Sequence, residues 1–283
     1  MGLLAFAFLS SRQGPGMGEV LFLLVPVTAG FSVEIVTRGF NSAAAAALLS
    51  VLCSLVILIA MGREGVLCAV LAFPIILGGL VVGMALGALV LRLWLKNGTT
   101  KGTTVGALIL VGPMLIVAGE RFETPILRDA RTEIIQSSVE VNDSPDGVWS
   151  HILAIDNIRA SKPMLMYVGL PIPQRCTLQG MGVGAKRTCY FDTGYIEETV
   201  SEWSPPYVMG LTIDRTHMPG RHWLGFESAE YRIAPHGQMT TLTRSTTISS
   251  HLRPSWYWRR FERMGVESEH RYILQDVVLR SAR

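Results

Sequence analysis

The charged residues of this chain are crowded into its second half, and that asymmetry decides what each half can be. Up to residue 119 there are six Lys or Arg and three Asp or Glu; from residue 120 onward there are nineteen of each. Four long apolar runs fill the first part, at 18–36, 43–61, 66–95 and 104–119. A helix needs about 20 apolar residues to cross a bilayer core, so these runs predict four spans. The chain therefore reads as a helical membrane region over 1–119, a charged linker over 120–131 and a soluble domain over 132–283. Basic residues form no block of the kind that meets phosphates, and the soluble part balances its charges, which argues against a nucleic-acid partner.

Within the membrane region, Pro26 interrupts the first run and Pro74 gives the long third run a place to kink. Gly79, Gly83 and Gly87 recur every fourth residue, a smooth stripe that lets another helix approach closely. The stripe suits packing inside the bundle or a homodimer contact. Apart from Glu19 at the very start of the first run, Glu34 is the one acid within a run; with no intramembrane base beside it, it is poor evidence for an ion path. Residues 1–9 are apolar but lack a basic start, so no secretory signal is expected. Four spans place both termini on one side, with Arg12, Arg63, Arg121, Arg128 and Arg131 there and Arg38, Arg92, Lys96 and Lys101 opposite. That count leans toward the termini inside.

The soluble part changes period. Residues 132–141 alternate as a strand. The run Asn142-Asp143-Ser144-Pro145-Asp146 starts a helix whose apolar face is Val148, Trp149, Ile152 and Leu153. Strand patterns follow at 175–179, 186–191, 195–203, 207–213, 228–233 and 239–249, separated by Gly- or Pro-bearing turns. A last helix opens at Pro254 and runs to about Leu279.

Several stretches carry a resemblance: VEVNDSPDGVWSHI at 139–152, GLPIP at 169–173, GMGVGAKRTCYFDTG at 180–194 with Glu198 and Trp203 after it, and PSWYWRRF at 254–261 leading to His270-Arg271. In these, residues 133–280 resemble the START-like, or SRPBCC, superfamily, which includes polyketide cyclase/dehydrase-like proteins, and within it a bacterial subgroup. The resemblance implies an α+β helix-grip fold, a curved antiparallel sheet around a long C-terminal helix, with an apolar cavity between them. It implies hydrophobic ligands such as lipids, isoprenoids or polyketide-like molecules. Fold alone does not choose among these. A bacterial inner membrane with the C-terminal domain cytoplasmic is the expected location.

Few residues are candidates for chemistry. A hairpin centred near Thr193 brings Arg187 close to Glu198; the pair either faces the interior, where it could orient a carbonyl or carboxylate, or forms a salt bridge at the rim. His270 is the titratable group of the last helix that could act as acid or base. Tyr257, Phe261, Met264 and Tyr272 share one helical face, and with Trp203 they are the expected ligand contacts. A hairpin centred between Gly182 and Val183 sets Cys176 opposite Cys189, near enough for a disulfide; a reduced pair facing the core is the expectation. The Gly180–Gly184 repeat precedes a strand and lacks phosphate-loop spacing. His217 and His222 have no further ligands nearby, so neither a metal nor a cofactor is expected. The sequence favours a membrane-anchored protein that binds a hydrophobic small molecule. The alternatives are a cyclase- or dehydratase-type enzyme using Arg187, Glu198 and His270, and a membrane regulatory or interaction protein.

Overall fold

A computed structural model describes residues 18–61, 65–96, 102–153, 155–218 and 224–282. The chain divides into two compact units. One holds the residues up to Ala130 together with His251–Trp258; the other holds Arg131–Ser250 and Arg259–Arg283.

In the first unit a π-helical stretch, Val20–Leu24, runs into α1 (Val25–Thr37). It is followed by α2 (Phe40–Ala60), α3 (Val66–Lys96) and α4 (Gly102–Leu127). Among the described residues, Val20–Thr37, Phe40–Ala60 and Val66–Leu93 are long and apolar enough to cross a membrane. The fourth expected span, 104–119, falls in α4, where the side chains of 102–110 lie outside the described residues.

The glycine stripe of α3 faces α1. A Cβ at Gly83 would sit 2.0 Å from the Val27 carbonyl oxygen. Gly79 meets Pro26 in the same way, and Gly87 meets Glu34. The stripe is thus filled from within the chain. This corrects the homodimer contact considered for Gly79, Gly83 and Gly87: a surface this close to a neighbouring backbone has no room for a second partner.

The segment His251–Trp258 belongs to this unit by its contacts. Trp258 packs on Phe22 with ring centroids 4.8 Å apart, the Tyr257 hydroxyl donates to the Leu71 carbonyl, and His251 Nδ1 lies 2.9 Å from the Leu127 carbonyl oxygen.

The second unit is a seven-stranded antiparallel sheet, with β1 (Arg131–Val141), β2 (Pro173–Gln179), β3 (Lys186–Phe191), β4 (Gly194–Ser204), β5 (Val208–His217), β6 (Leu224–His236) and β7 (Met239–Ser250). Spatial order is β1-β7-β6-β5-β4-β3-β2. Strands β2 to β7 form a meander, and β1 returns to close the far edge on β7. Two short helices, α5 (Pro145–Leu153) and α6 (Met164–Tyr167), lie between β1 and β2. The long helix α7 (Ser255–Ser281) completes the chain. This is a helix-grip arrangement.

Alternation in the strands sets the core. Val200, Met209, Leu211, Tyr231, Ile233 and Leu242 point inward against Leu274 and Val277 of α7 and Trp149 of α5. The row of α7 that meets the sheet is Glu262, Val266, His270 and Leu274: Glu262 bonds Ser250, Val266 packs on Ile135 and Ile248, and His270 reaches Thr246.

Candidate functional site

The turn Asp192-Thr193 joins β3 to β4 with Phe191 opposite Gly194, and this register fixes Arg187 directly across from Glu198. The centre lies one half-step before Thr193, so no bulge is needed to bring the two together. Gly194 is required there, since a Cβ would fall 2.0 Å from the His217 carbonyl oxygen of β5. The pair faces inward. Arg187 Nη1 donates to Glu198 Oε2 over 3.0 Å, and the side chains are only 3% and 7% exposed. The rim alternative for this pair is thereby replaced by a buried one.

Two strands away, Tyr231 on β6 is the cross-strand partner of Arg244 on β7. The Arg187 guanidinium carbon lies 5.8 Å from the Tyr231 ring centroid and that of Arg244 lies 5.2 Å from it. Arg244 Nη2 donates to Glu269 of α7 over 2.9 Å. Burial acts to lower the proton affinity of Arg244, but the nearby Glu269, Tyr231 and Glu198 outweigh it and hold its pKa above the ordinary value. Each guanidinium thus meets a carboxylate, Arg187 with Glu198 and Arg244 with Glu269.

A guanidinium carries five N–H donors. Nη2 of Arg187, and Nε and Nη1 of Arg244, are buried without a partner. A buried donor left unmade costs about 1–3 kcal/mol, so such groups call for a water or a guest.

His270 adjoins this group in a different state. Its Nε2 is 2.8 Å from Thr246 Oγ1 and its Nδ1 is 3.1 Å from Ser137 Oγ, so one nitrogen donates and the other accepts. Burial, with the charge of Arg244, lowers its pKa from 6.5 to about 2. The ring is neutral at physiological pH, and both its nitrogens are engaged.

The remaining expected contacts are scattered. Tyr257 belongs to the helical unit, bonded to Leu71. Met264 is 39% exposed and Phe261 is half-buried; neither is in the row that meets the sheet. Tyr272 is buried, close enough to Asp276 and Tyr167 for their charges to raise its pKa after burial has done so. Trp203 packs edge-on against Trp149, centroids 5.1 Å apart, as part of the core. The aromatic spacing of α7 thus picked a face one position away from the inward row, because that row includes Glu262 and His270.

Arg244, Tyr231, Thr246 and Ser137 were not singled out from sequence. Strand parity holds the clue: Leu242, Arg244, Thr246 and Ile248 alternate on one face of β7, and the apolar members mark it as the inner one.

Cys176 and Cys189 are paired in register and joined as a disulfide, S–S 2.07 Å, which corrects the expectation of reduced thiols. Cys189 Sγ is 3.6 Å from Glu198 Oε2; an oxidised sulfur has no hydrogen, so this is a contact only. Among the described residues no cluster of three or more metal-ligating side chains occurs. His222 lies outside the described residues.

No family model and no curated protein matches the chain. Solved structures do. The ZhuI aromatase/cyclase of a Streptomyces species is 17% identical, TM-score 0.39, over 54% of this chain and 95% of that one. The C-terminal unit has a helix-grip fold, a seven-stranded antiparallel sheet with a long C-terminal helix. A Nitrosospira multiformis protein gives 17% identity, TM-score 0.37, over 53% of this chain and all of that one. Truncated norcoclaurine synthase from Thalictrum flavum gives 13%, TM-score 0.34, over 53% and 96%. The likeness is one of fold, confined to about half of the chain, and it carries no ligand with it.

Proposed function

We propose that this chain is a membrane-tethered START-like binding protein whose helix-grip interior takes a hydrophobic small molecule. One observation carries the reading. The interior between sheet and α7 holds N–H donors of Arg187 and Arg244 that no hydrogen-bond acceptor answers, beside a cluster of buried apolar side chains. A core built only for stability satisfies such groups. The apolar helices Val20–Thr37, Phe40–Ala60 and Val66–Leu93 support a tether that keeps the domain beside a bilayer, from which such a molecule partitions. Binding is favoured over acid–base catalysis because both nitrogens of His270 are already engaged by Thr246 and Ser137, and burial with the charge of Arg244 lowers its pKa to about 2, far from the neutral range a general base needs.

The disulfide supports a location on the oxidising side of the membrane. It outweighs the five-to-four Lys/Arg lean that placed the domain in the cytoplasm. Non-reducing peptide mapping of freshly isolated membranes is expected to recover the 176–189 linkage. Free thiols at both positions would return the domain to the cytoplasm.

The binding reading is tested by native mass spectrometry of the full-length protein released from its own membranes. A co-purifying hydrophobic molecule, lost on unfolding, is the expected result. A protein that carries none, and takes up no hydrophobic probe, is not a binding protein of this kind.

A further inference from the structure

The free donors say what the guest must bring. We infer that the molecule held in the helix-grip interior is a neutral hydrophobe whose carbonyl oxygen accepts from Arg187 and Arg244 beside the Tyr231 ring. This rests on the binding reading above and adds the chemistry of the ligand's polar end.

Two features of the interior exclude the other common head groups. First, around Tyr231 every buried side-chain atom left without a partner is an N–H donor: Nη2 of Arg187, and Nε and Nη1 of Arg244. An ammonium or amide N–H brought into this place would find no acceptor waiting, whereas a ketone or ester oxygen is acceptor only and answers the need directly. Secondly, the charges already balance. Arg187 pairs with Glu198 and Arg244 with Glu269. A carboxylate head would enter as a third anion against two cations, buried and without a counter-charge of its own, and burying an unpaired charge is strongly unfavourable. A hydrocarbon with no oxygen would leave the donors orphaned. His270 does not restore the balance for an anion, since burial and the neighbouring Arg244 charge disfavour its taking up a proton.

The donors flank one ring. Both guanidiniums lie within 6 Å of one ring centroid, on β3 and β7, and Glu198 is near enough to act on Arg244 as well as on Arg187. The ring offers an apolar wall beside the two donors, the surroundings that a carbonyl on an aliphatic or aromatic skeleton requires.

Three probes of equal chain length separate the possibilities: 2-dodecanone, dodecane and dodecanoate, bound to the full chain in lipid nanodiscs at neutral pH. The ketone is expected to bind about tenfold more tightly than either of the others, the effect of satisfying one buried donor. In the paired variants Arg187→Met/Glu198→Leu and Arg244→Met/Glu269→Leu, which remove the donors and keep the charges balanced, the ketone should lose its advantage over dodecane. The two variants are independent, so a failure of one to fold leaves the other. The wild-type probe series needs neither. Dodecanoate binding tightest, a ketone no better than dodecane, or an advantage that survives in both variants overturns the inference and leaves hydrophobic binding standing. No uptake of any of the three removes both readings.

Discussion

Arg187 and Glu198 show how a buried ion pair behaves at the scale of single residues. Their attraction is strong in a low-dielectric interior, but so is the cost of having brought both out of water. The worth of the pair therefore differs from the cost of breaking it. Arg187→Met alone should lower stability by about 3–5 kcal/mol, because Glu198 is left buried without its partner. Arg187→Met with Glu198→Leu should restore most of that loss. Urea unfolding of the detergent-solubilised protein, followed by tryptophan fluorescence, separates the two, and equal losses would place the pair in solvent.

His270 makes the opposite kind of contribution, one that depends on staying neutral. The unfolded chain protonates this ring below about 6.5, the folded chain only near 2. Between those values the unfolded state binds more protons, so stability falls as pH is lowered and is fully present above 6.5. The expected slope is about 1.4 kcal/mol per pH unit well below 6.5. Glu133 also has a lowered pKa: burial raises it, but hydrogen bonds from Arg263 and Arg259 outweigh that. Its contribution fades only below its ordinary value of 4.5, whereas Glu123, whose pKa burial raises above 4.5, acts between 4.5 and 6.5 with the opposite sign, stability rising as pH is lowered. The same unfolding experiment on His270→Gln should lose the fall in stability on acidification there. A wild-type slope that survives the substitution would assign it to another group.

At the scale of elements, the close approach of α3 to α1 is set by Gly83, whose Cβ position is already occupied by the Val27 carbonyl. Gly83→Val forces the helices apart, and overpacking of this kind costs about 1–3 kcal/mol. Thermal loss of helical circular dichroism in detergent should come earlier in this variant than in Gly78→Val, since nothing lies within 4 Å of that Cβ position. Equal melting would mean that the stripe does not pack inside the chain.

Elements were also where sequence reasoning reached furthest. Period-two alternation and turn chemistry located the seven strands of the described residues, the helix that opens at Pro145 and the long last helix; the short α6 went unforeseen. The Cys176–Cys189 register followed from a hairpin centre alone. The face of α7 was lost, because hydrophobic spacing cannot find a row that is inward and partly charged: Glu262 and His270 are buried only because Ser250, Thr246 and Ser137 receive them. Arg244 escaped notice for the same reason. A lone arginine on a strand reads as solvent-facing until its neighbours Leu242 and Ile248 are seen to share its side.

For the molecule as a whole, the segment His251–Trp258 qualifies the division at residue 131. Trp258 is 3% exposed and lies against Phe22 of the helical unit. A fragment of residues 131–283 is expected to fold around its own sheet yet to present that indole to water. Trp258→Gln in the fragment should raise its solubility without shifting its unfolding midpoint; turbidity and urea titration measure both. A fragment that is monomeric with Trp258 intact would show that the segment finds cover elsewhere.

The disulfide bears on how the protein is made in the laboratory. In a reducing host Cys189 keeps its hydrogen, 3.6 Å from the Glu198 oxygen that Arg187 now holds. The thiol then competes as a donor for that oxygen, and the hairpin loses its cross-strand link. Material from the two kinds of host would share a sequence and differ in the polar group that meets a guest, so an affinity measured on one preparation describes only the compartment it was folded in.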